Sequence, residues 1–293
     1  MISKFKQLGF YTFAVHMSLF ISSLNSGSNG NCYYIGNQDE AVLIDGGISC
    51  RETEIRMKRL GLHMKEVKAI FISHEHSDHI SGVARLSKKY KIPVYITKPT
   101  LQNGNLILSE DLTLSFHAYA PIRIGNLLVT PFPKFHDAAD PHSFMVSSDT
   151  VNVGVFTDIG KTCEHLIKHF KECHAAFLES NYDEVMLETG RYPLGLKNRI
   201  RDGRGHLSNT QALELFMQHK SSHLSHLFLS HLSKHNNSPK LVKDLFSKRA
   251  DGTEIIIAPR NIQTKLYHIR NIEVNRVQKE QSRSPQLQLT LFQ

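Results

Sequence analysis

Short apolar runs alternate with turn residues and helical patterns along most of the chain. The first runs, LFISSL, CYYIG and AVLID, predict strands, and the stretch NSGSNGN between the first two predicts a turn. The runs VKAIFIS, AAFLES and HLFLS are short and almost entirely apolar, which is typical of strands buried on both faces. Helical spacing and end signals predict helices at residues 49–60, 80–90, 162–172, 184–201, 209–219 and 239–250.

The remaining strands complete two similar halves. Residues 112–132 contain short strand-like runs, SFMVSS and VNVGVFTD predict a hairpin across Ser148–Thr150, and EIIIA and KLYHIR predict closing strands. Because strands are followed by helices in both halves, we expect an α/β chain in which two sheets pack face to face with helices outside. We expect a single domain at residues 17–275, between an N-terminal extension that is not part of the natural start, residues 1–16, and a polar C-terminal tail, residues 276–293.

The composition is that of a soluble globular protein, since 40% of the 293 residues are hydrophobic and 21% are charged. No apolar run reaches the roughly 18 residues that span a bilayer, so we expect no membrane segment. Four cysteines without a C-x-x-C pair indicate reduced thiols in a cytoplasmic protein. The net charge of +8 favours anionic partners such as nucleic acid, and the oligomeric state stays open.

The segment SHEHSDH contains the most informative group of polar residues. It follows the predicted strand VKAIFIS and offers four metal ligands within six residues, His74, His76, Asp78 and His79. A single tetrahedral catalytic site keeps one position open and does not need them all, so two metal ions that share them are predicted. The alternative is an exposed polar turn that happens to hold three histidines, and the residue order after a buried strand argues against it.

The order H-x-H-x-D-H after an apolar strand resembles the metallo-β-lactamase superfamily, and the likeness extends over residues 19–270. Other motifs of that superfamily match four further positions in the expected order, Asp45 in VLIDGG, His136 in FHDAADPHSF, Asp158 in VFTDIG and His231 in LFLSHLS. The resemblance implies the metallo-β-lactamase fold, a four-layer αββα sandwich. It also implies a metal-dependent hydrolase.

The resemblance further implies how two divalent metal ions are held. One ion is expected on His74, His76 and His136, and the other on Asp78, His79 and His231, with Asp158 between them. Imidazole and carboxylate ligands suit zinc or manganese, and iron fits as well. Asp78 is also expected to orient the nucleophile, and Asp45 to support the loop that carries the ligands.

Two positions test this assignment. His142 lies close to His136 in sequence, but the order of the motif favours His136 as the ligand. Superfamily members that hydrolyse lactams often have cysteine where this chain has Asp158, which argues against β-lactamase activity.

Three segments resemble one branch of the superfamily, the YycJ or WalJ group of small bacterial nuclease-like members. They are SLNSGSNGNCYYIG, ESNYDEVMLETGRYPLGLKNRI, and GHLSN followed later by LSHLSKHNNSP. This chain has Tyr182 where the group often has histidine, so no catalytic role is assigned to that position.

In GRGHLSN, His206 precedes a helix that Ser208 or Asn209 is expected to cap. The N-terminus of that helix suits a phosphate, although His206 could instead help to cap its own helix. Glu179 and Asn181 are expected to line the same cleft. Three arginines nearby, Arg199, Arg201 and Arg204, are either phosphate contacts or a solvated basic face.

These features predict a phosphodiesterase that acts on nucleic acid, and most specifically a DNA exonuclease. A hydroxide shared by the two metals is expected to attack phosphorus, with His206 binding the substrate or protonating the leaving group. The alternative is a small-molecule hydrolase, such as a glyoxalase-II-like thioesterase or a lactonase. A basic face beside GHLSN favours nucleic acid, whereas a narrow closed pocket favours the small ester. A non-catalytic metal-binding protein is less consistent with a full ligand set.

Overall fold

A computed structural model describes residues 18–271, so the predicted N-terminal extension and C-terminal tail lie outside the described residues. Fourteen strands form two seven-stranded sheets. The first sheet has the order β14-β1-β2-β3-β4-β5-β6, with β1 Ser18–Asn25, β2 Cys32–Gly36, β3 Ala41–Ile44, β4 Val67–Phe71, β5 Val94–Tyr95, β6 Thr113–Leu114 and β14 Tyr267–Arg270. The second has the order β13-β12-β11-β10-β9-β8-β7, with β7 Ile122–Ile124, β8 Leu127–Pro133, β9 His142–Ser148, β10 Val151–Phe156, β11 Ala175–Glu179, β12 His226–Ser230 and β13 Glu254–Ile257.

Nine α-helices connect the strands within this range. They are α1 Cys50–Arg59, α2 Ser77–Ile80, α3 Val83–Tyr90, α4 Lys98–Asn103, α5 Glu164–Phe170, α6 Glu184–Thr189, α7 Leu194–Arg201, α8 Asn209–His219 and α9 Pro239–Ser247. None of the helices in residues 18–271 has the length and apolar character needed to cross a membrane.

Three apolar clusters hold the layers together. The first contains side chains from both sheets, such as Ile44, Phe71, Phe144 and Phe177, and therefore fills the space between them. The second joins the outer face of the second sheet to α5, α8 and α9, and the third joins the outer face of the first sheet to α1 and α3. Burial of these faces is the main stabilising contribution. Three interfaces between four layers confirm the predicted αββα sandwich.

The sheet topology brings several strand ends to one edge of the sandwich. In the first sheet β3 and β4 are parallel, and in the second β10, β11 and β12 are parallel. Because parallel strands present their carboxyl ends at the same edge, the residues that follow them share one surface, as in other α/β sheets. That edge carries the polar motifs of the sequence.

Two predicted helices are divided in the structure. The pattern at residues 80–90 becomes α2 and α3, separated at Gly82, whose N–H donates to Gly46 O at 2.8 Å. A Cβ atom at Gly82 would lie 1.9 Å from Ile48 O, so only glycine permits this approach. The pattern at residues 184–201 becomes α6 and α7, and Pro193 begins the second of them as its N-cap. Helix α4 was not predicted.

Candidate metal centre

Seven side chains predicted as metal ligands meet at the shared edge of the two sheets. His74 and His76 follow β4, Asp78 and His79 lie in α2, and the other three follow β8, β10 and β12, namely His136, Asp158 and His231. Ligand atoms of these residues form several groups within 4.8 Å of one another. The convergence that the sequence motifs imply is therefore present in the fold.

The first group consists of His74, His76 and His136. The Nδ1–H of His136 donates to Gly205 O at 3.0 Å. Ser73 Oγ donates its own proton to Asp45 Oδ2 and accepts the Nδ1–H of His74 at 2.8 Å. Both neutral rings therefore have no proton on Nε2. These Nε2 atoms lie 3.3 Å and 3.1 Å from His76 Nδ1. One proton on His76 can satisfy only one of them. A cation among the three nitrogens satisfies all three, so this donor set fits a metal ion.

The second group consists of Asp78, His79 and His231. Asp78 Oδ2 lies 3.6 Å from the Nε2 atoms of both histidines. Asp158 lies between the two groups, with Oδ2 at 3.1 Å from His79 Nε2 and Oδ1 at 3.8 Å from His136 Nε2. Asp158 Oδ2 and His231 Nε2 are buried and have no hydrogen-bond partner among residues 18–271, whereas buried polar atoms normally have one. This orphaned pair also fits a metal ion.

Two buried carboxylates orient the histidines from behind. Asp45 accepts the Nδ1–H of His79 at 2.7 Å and the backbone N–H of Ser73 at 2.8 Å. Glu179 Oε1 lies 2.8 Å from the Nδ1 atoms of both His231 and His206. Such partners fix which ring nitrogen keeps its proton and leave Nε2 free for a metal ion.

The electrostatic environment differs between the two groups. Burial lowers the pKa of His74 well below its usual range and that of His136 to about 3, and the nearby Lys134 ammonium acts in the same direction. Lys134 is itself buried, with Nζ donating to Thr157 O at 2.7 Å. Both histidines are therefore neutral, the form that binds metals.

Carboxylates dominate the second group. Burial opposes the charged form of His79 and His231, but Asp158 and its neighbours outweigh burial and raise the pKa of His231 to about 10 and that of His79 well above its usual range. Burial also opposes ionisation of Asp78, yet His79 lowers its pKa to about 2. Protons on His79 and His231 therefore compete with a divalent cation for the same ring nitrogens.

Three residues of the centre have left-handed backbone conformations. The φ angles are 62° for Asp45, 55° for Asp158 and 55° for His231. Each residue comes directly after a strand or one residue beyond it, where the chain must turn sharply to direct its side chain inward. Such conformations are uncommon for residues other than glycine and are maintained by the surrounding structure.

A cleft of about 380 Å³ opens above the metal-binding groups. His206 lines it with a side chain that is 22% exposed, and Asn181 lines it as well. Ser208 and Asn209 lie behind the wall instead. Ser208 accepts the N–H of Gln211, and Asn209 Oδ1 accepts from Ser180 Oγ at 2.7 Å. This arrangement favours a role in holding α8 over direct contact with substrate.

The N-terminus of α8, where the sequence suggests a phosphate site, makes several hydrogen bonds within the protein. Ser208 and Gln211 form a reciprocal capping box, and the N–H of Asn209 donates to Tyr182 O at 2.8 Å. The N–H groups of Ser208, Asn209 and Gln211 are therefore engaged within the protein. Tyr182 is buried beside Leu187 and Ile200, and burial raises its pKa to about 12.

His142 lies apart from the metal-binding groups. Its Nδ1 lies 2.9 Å from Asp140 O, and its ring contacts Phe116 edge-on. This agrees with the preference for His136 that came from motif order.

The sequence patterns missed two contributors to the centre and gave a third another role. Asn31 Nδ2 lies 3.1 Å from Asp78 Oδ2, and Lys134 supplies a buried positive charge. Glu179, which was expected to line the cleft, instead joins two histidines. Asn31 belongs to a turn that was predicted only as a turn. A lysine is usually exposed, so nothing in the segment PFPKFH indicated burial of Lys134.

Comparison with known proteins agrees with this architecture. Residues 26–151 match the Metallo-beta-lactamase superfamily. The chain is 33% identical over 230 residues to exodeoxyribonuclease YycJ of Bacillus anthracis, covering 78% of this chain and 87% of that protein. It is 29% identical over 225 residues to exodeoxyribonuclease WalJ of Streptococcus pneumoniae strain D39, covering 75% and 84%.

A solved structure extends the likeness in fold. The metallo-β-lactamase-fold protein YhfI from Bacillus subtilis superposes with a TM-score of 0.65 at 16% identity, over 84% of this chain and 98% of that one. The fold, the convergent polar groups and the sequence identity lead to one assignment. The chain belongs to the metallo-β-lactamase superfamily and, within it, to the group that contains YycJ and WalJ.

Proposed function

We propose that the chain is a metal-dependent exonuclease that hydrolyses phosphodiester bonds in DNA. The observation that carries this proposal is the set of seven convergent imidazoles and carboxylates at the base of a cleft that also holds His206 and Arg199. The 33% identity to an exodeoxyribonuclease supports DNA as the substrate. The identity to exodeoxyribonucleases, rather than the size of the cleft, favours DNA over a thioester or a lactone.

Two divalent cations, zinc or manganese with iron as a further possibility, complete the site. His74, His76 and His136 would hold one, and Asp78, His79 and His231 the other, with Asp158 shared. When bound, such a pair makes water a stronger nucleophile at neutral pH and offsets negative charge on the phosphate. Two observations support this assignment. In the first group, one proton on His76 cannot satisfy the Nε2 atoms of both His74 and His136. Around the second group, the buried atoms Asp158 Oδ2 and His231 Nε2 have no hydrogen-bond partner among the described residues.

The other residues of the site position the predicted metal ligands, transfer a proton or contact the substrate. Asp45 holds His79 and the backbone of Ser73 in place. Glu179 accepts the Nδ1–H of His206, so that a second proton, on Nε2 of the imidazolium, would be the one that binds a phosphate oxygen or passes to the leaving oxygen. Asn181, whose Nδ2 donates to His231 O at 2.8 Å, is the candidate for direct contact with substrate.

The experiment compares nucleic acids with small esters. Purified protein with manganese or zinc is incubated with 5′-labelled single- and double-stranded DNA and RNA, and in parallel with a thioester and a lactone. We expect stepwise shortening of DNA and no ester hydrolysis. Asp158→Asn should remove the activity, whereas Asp149→Asn, in an exposed turn, serves as the matched control. Ester hydrolysis without DNA cleavage would overturn the proposal.

We propose the cytoplasm as the site of action. All four cysteines are free thiols, and three of them, Cys32, Cys50 and Cys173, are buried. Burial raises the pKa of Cys50 to about 11, which keeps that thiol protonated. Reduced thiols and a DNA substrate are both consistent with this compartment.

A further inference from the structure

The metal-binding groups lie at the base of a small cleft. His74, His79, Asp158 and His231 are buried, and the cleft above them measures about 380 Å³. Pockets of roughly 300–1,000 Å³ bury one small ligand, and this cleft lies near the lower limit of that range. Its volume therefore matches one nucleotide better than a base pair.

One wall of the cleft has the chemistry that binds an unpaired nucleotide. Helix α7 and the residue pair before it contribute Tyr192, Leu196 and Arg199 to the lining. The Leu196 side chain is 37% exposed although it is apolar. Polar residues, among them Ser28 and Ser233, also line the cleft. Aromatic and apolar surfaces beside a cation bind single-stranded nucleic acid with little sequence preference.

Arg199 stands close to the metal-binding groups. Its Nε lies 2.6 Å from Asp137 Oδ2, and Asp137 Oδ1 lies 3.4 Å from His136 Nε2. The Arg199 side chain is 59% exposed, so its guanidinium can exchange a carboxylate partner for a phosphate. A phosphate placed above His136 would therefore lie within reach of this arginine.

We propose that the cleft selects a single nucleotide from a frayed strand end, with the base against Tyr192 and Leu196 and a phosphate on Arg199. This inference rests on the proposed function and adds the form of the substrate and the residues that recognise it. A fully paired end must lose its terminal pair before the phosphodiester reaches the metal-binding groups. Opening that pair therefore contributes to the energy barrier of cleavage.

The first test varies only the DNA end. Three duplexes share one sequence, with a paired blunt end, a single mismatched terminal pair, or both ends closed by hairpin loops. The blunt-ended and mismatched duplexes are labelled at the 5′ end in one set and at the 3′ end in another, so that the polarity of cleavage is measured as well. We expect kcat/KM about tenfold higher for the mismatched end, the factor that one base-pair step contributes, and no cleavage of the closed duplex.

The second test varies the wall. Tyr192→Ala should raise KM for DNA roughly 5- to 150-fold, the effect of losing one base–aromatic stack, with a smaller change in kcat. Tyr192→Phe should restore KM, because the ring is kept. Leu196→Ala should also raise KM. The matched controls lie away from the cleft: Tyr119→Ala, and Leu241→Ala at the same 37% exposure as Leu196.

The outcomes separate this inference from the proposed function. Cleavage of neither DNA nor bis(4-nitrophenyl) phosphate would mean that the proposed function is wrong. DNA cleavage that is equally efficient at paired and mismatched ends would overturn the inference and leave the exonuclease assignment intact. Cleavage of the closed duplex would instead contradict the exonuclease assignment. A Tyr192→Ala variant that lowers kcat and leaves KM unchanged, or a Tyr192→Phe variant equal to it, would overturn the recognition role of the wall.

Discussion

Substitution of Glu179 by glutamine should weaken metal binding and still leave the protein folded. Glu179 is fully buried, and its two oxygens have different partners. Oε2 accepts the backbone N–H groups of Ile159 at 2.7 Å and Leu207 at 3.2 Å, whereas Oε1 accepts from the imidazoles of His206 and His231. Backbone N–H groups cannot lose their protons, so in Glu179→Gln the amide oxygen must remain on their side. The NH₂ group then faces the two imidazoles.

Each imidazole can accept from that NH₂ group only if its own proton moves to Nε2. His231 Nε2 is the atom assigned to the metal, and a protonated nitrogen is not a ligand. Loss of an orienting partner typically weakens metal binding 10- to 100-fold. The cost to folding is about 1–3 kcal/mol, because charge-assisted hydrogen bonds are replaced by neutral ones and no donor is left without a partner. A loss of this size leaves a typical domain folded.

The assay measures both quantities on the same protein. Competition with a chromogenic chelator gives the affinity of each zinc site, and urea unfolding of the metal-free protein gives stability. Glu110→Gln, at an exposed glutamate, is the control. The reasoning is refuted if Glu179→Gln binds two zinc ions as tightly as the unchanged protein, or if its metal-free form no longer folds.

Three further results are expected. Asp78→Ala should abolish DNA cleavage and leave the Tm within a few degrees, because the site is added to a core stabilised elsewhere; full activity of exhaustively chelated protein would contradict the metal requirement. His206→Ala should lower DNA turnover about 10²- to 10⁴-fold and affect bis(4-nitrophenyl) phosphate far less, since its leaving group needs little protonation; equal losses would exclude a role at the leaving oxygen. In metal-free protein, histidine partners outweigh burial and lower the pKa of Glu179 from its usual 4.5 to about 2, so this carboxylate stabilises the fold above pH 4.5 and the contribution is lost as the pH falls towards 2. The measurement is the urea midpoint of the metal-free protein between pH 4.5 and pH 2. A midpoint that stays constant over this range, or that falls equally in Glu179→Gln, would contradict the predicted contribution of Glu179.

The cluster of His74, His76, Asp78 and His79 could be recognised from the sequence because its members lie within one short segment. The other three predicted ligands, His136, Asp158 and His231, came only from the order of motifs that resembles the metallo-β-lactamase superfamily, and the structure brings them to the same edge of the sandwich. The two-sheet architecture follows from the same alternation of strands and helices. These features depend on residues near one another in sequence or on strand order.

The partners behind the ligands could not be predicted in the same way. Glu179 is 27 residues from His206 and 52 from His231 in the chain, so no spacing links them. Ser208 was expected to cap its helix, and it does, but the same hydrogen bonds engage two N–H groups, those of Ser208 and Gln211, at the place where the sequence suggests a phosphate. Such contacts depend on three-dimensional packing and leave little pattern in the sequence.

The left-handed conformations at Asp45, Asp158 and His231 set stability and function against each other. An L-residue in this conformation costs roughly 1–2 kcal/mol, less for aspartate, and glycine avoids the cost. Selection of variants for heat resistance alone would therefore favour glycine at Asp158 and His231, which line the cleft, whereas Asp45 is retained by its hydrogen bonds to Ser73 and His79. Each round of selection for a more stable form of this protein should therefore include an assay for DNA cleavage, because glycine at these positions would remove site residues while it relieves backbone strain.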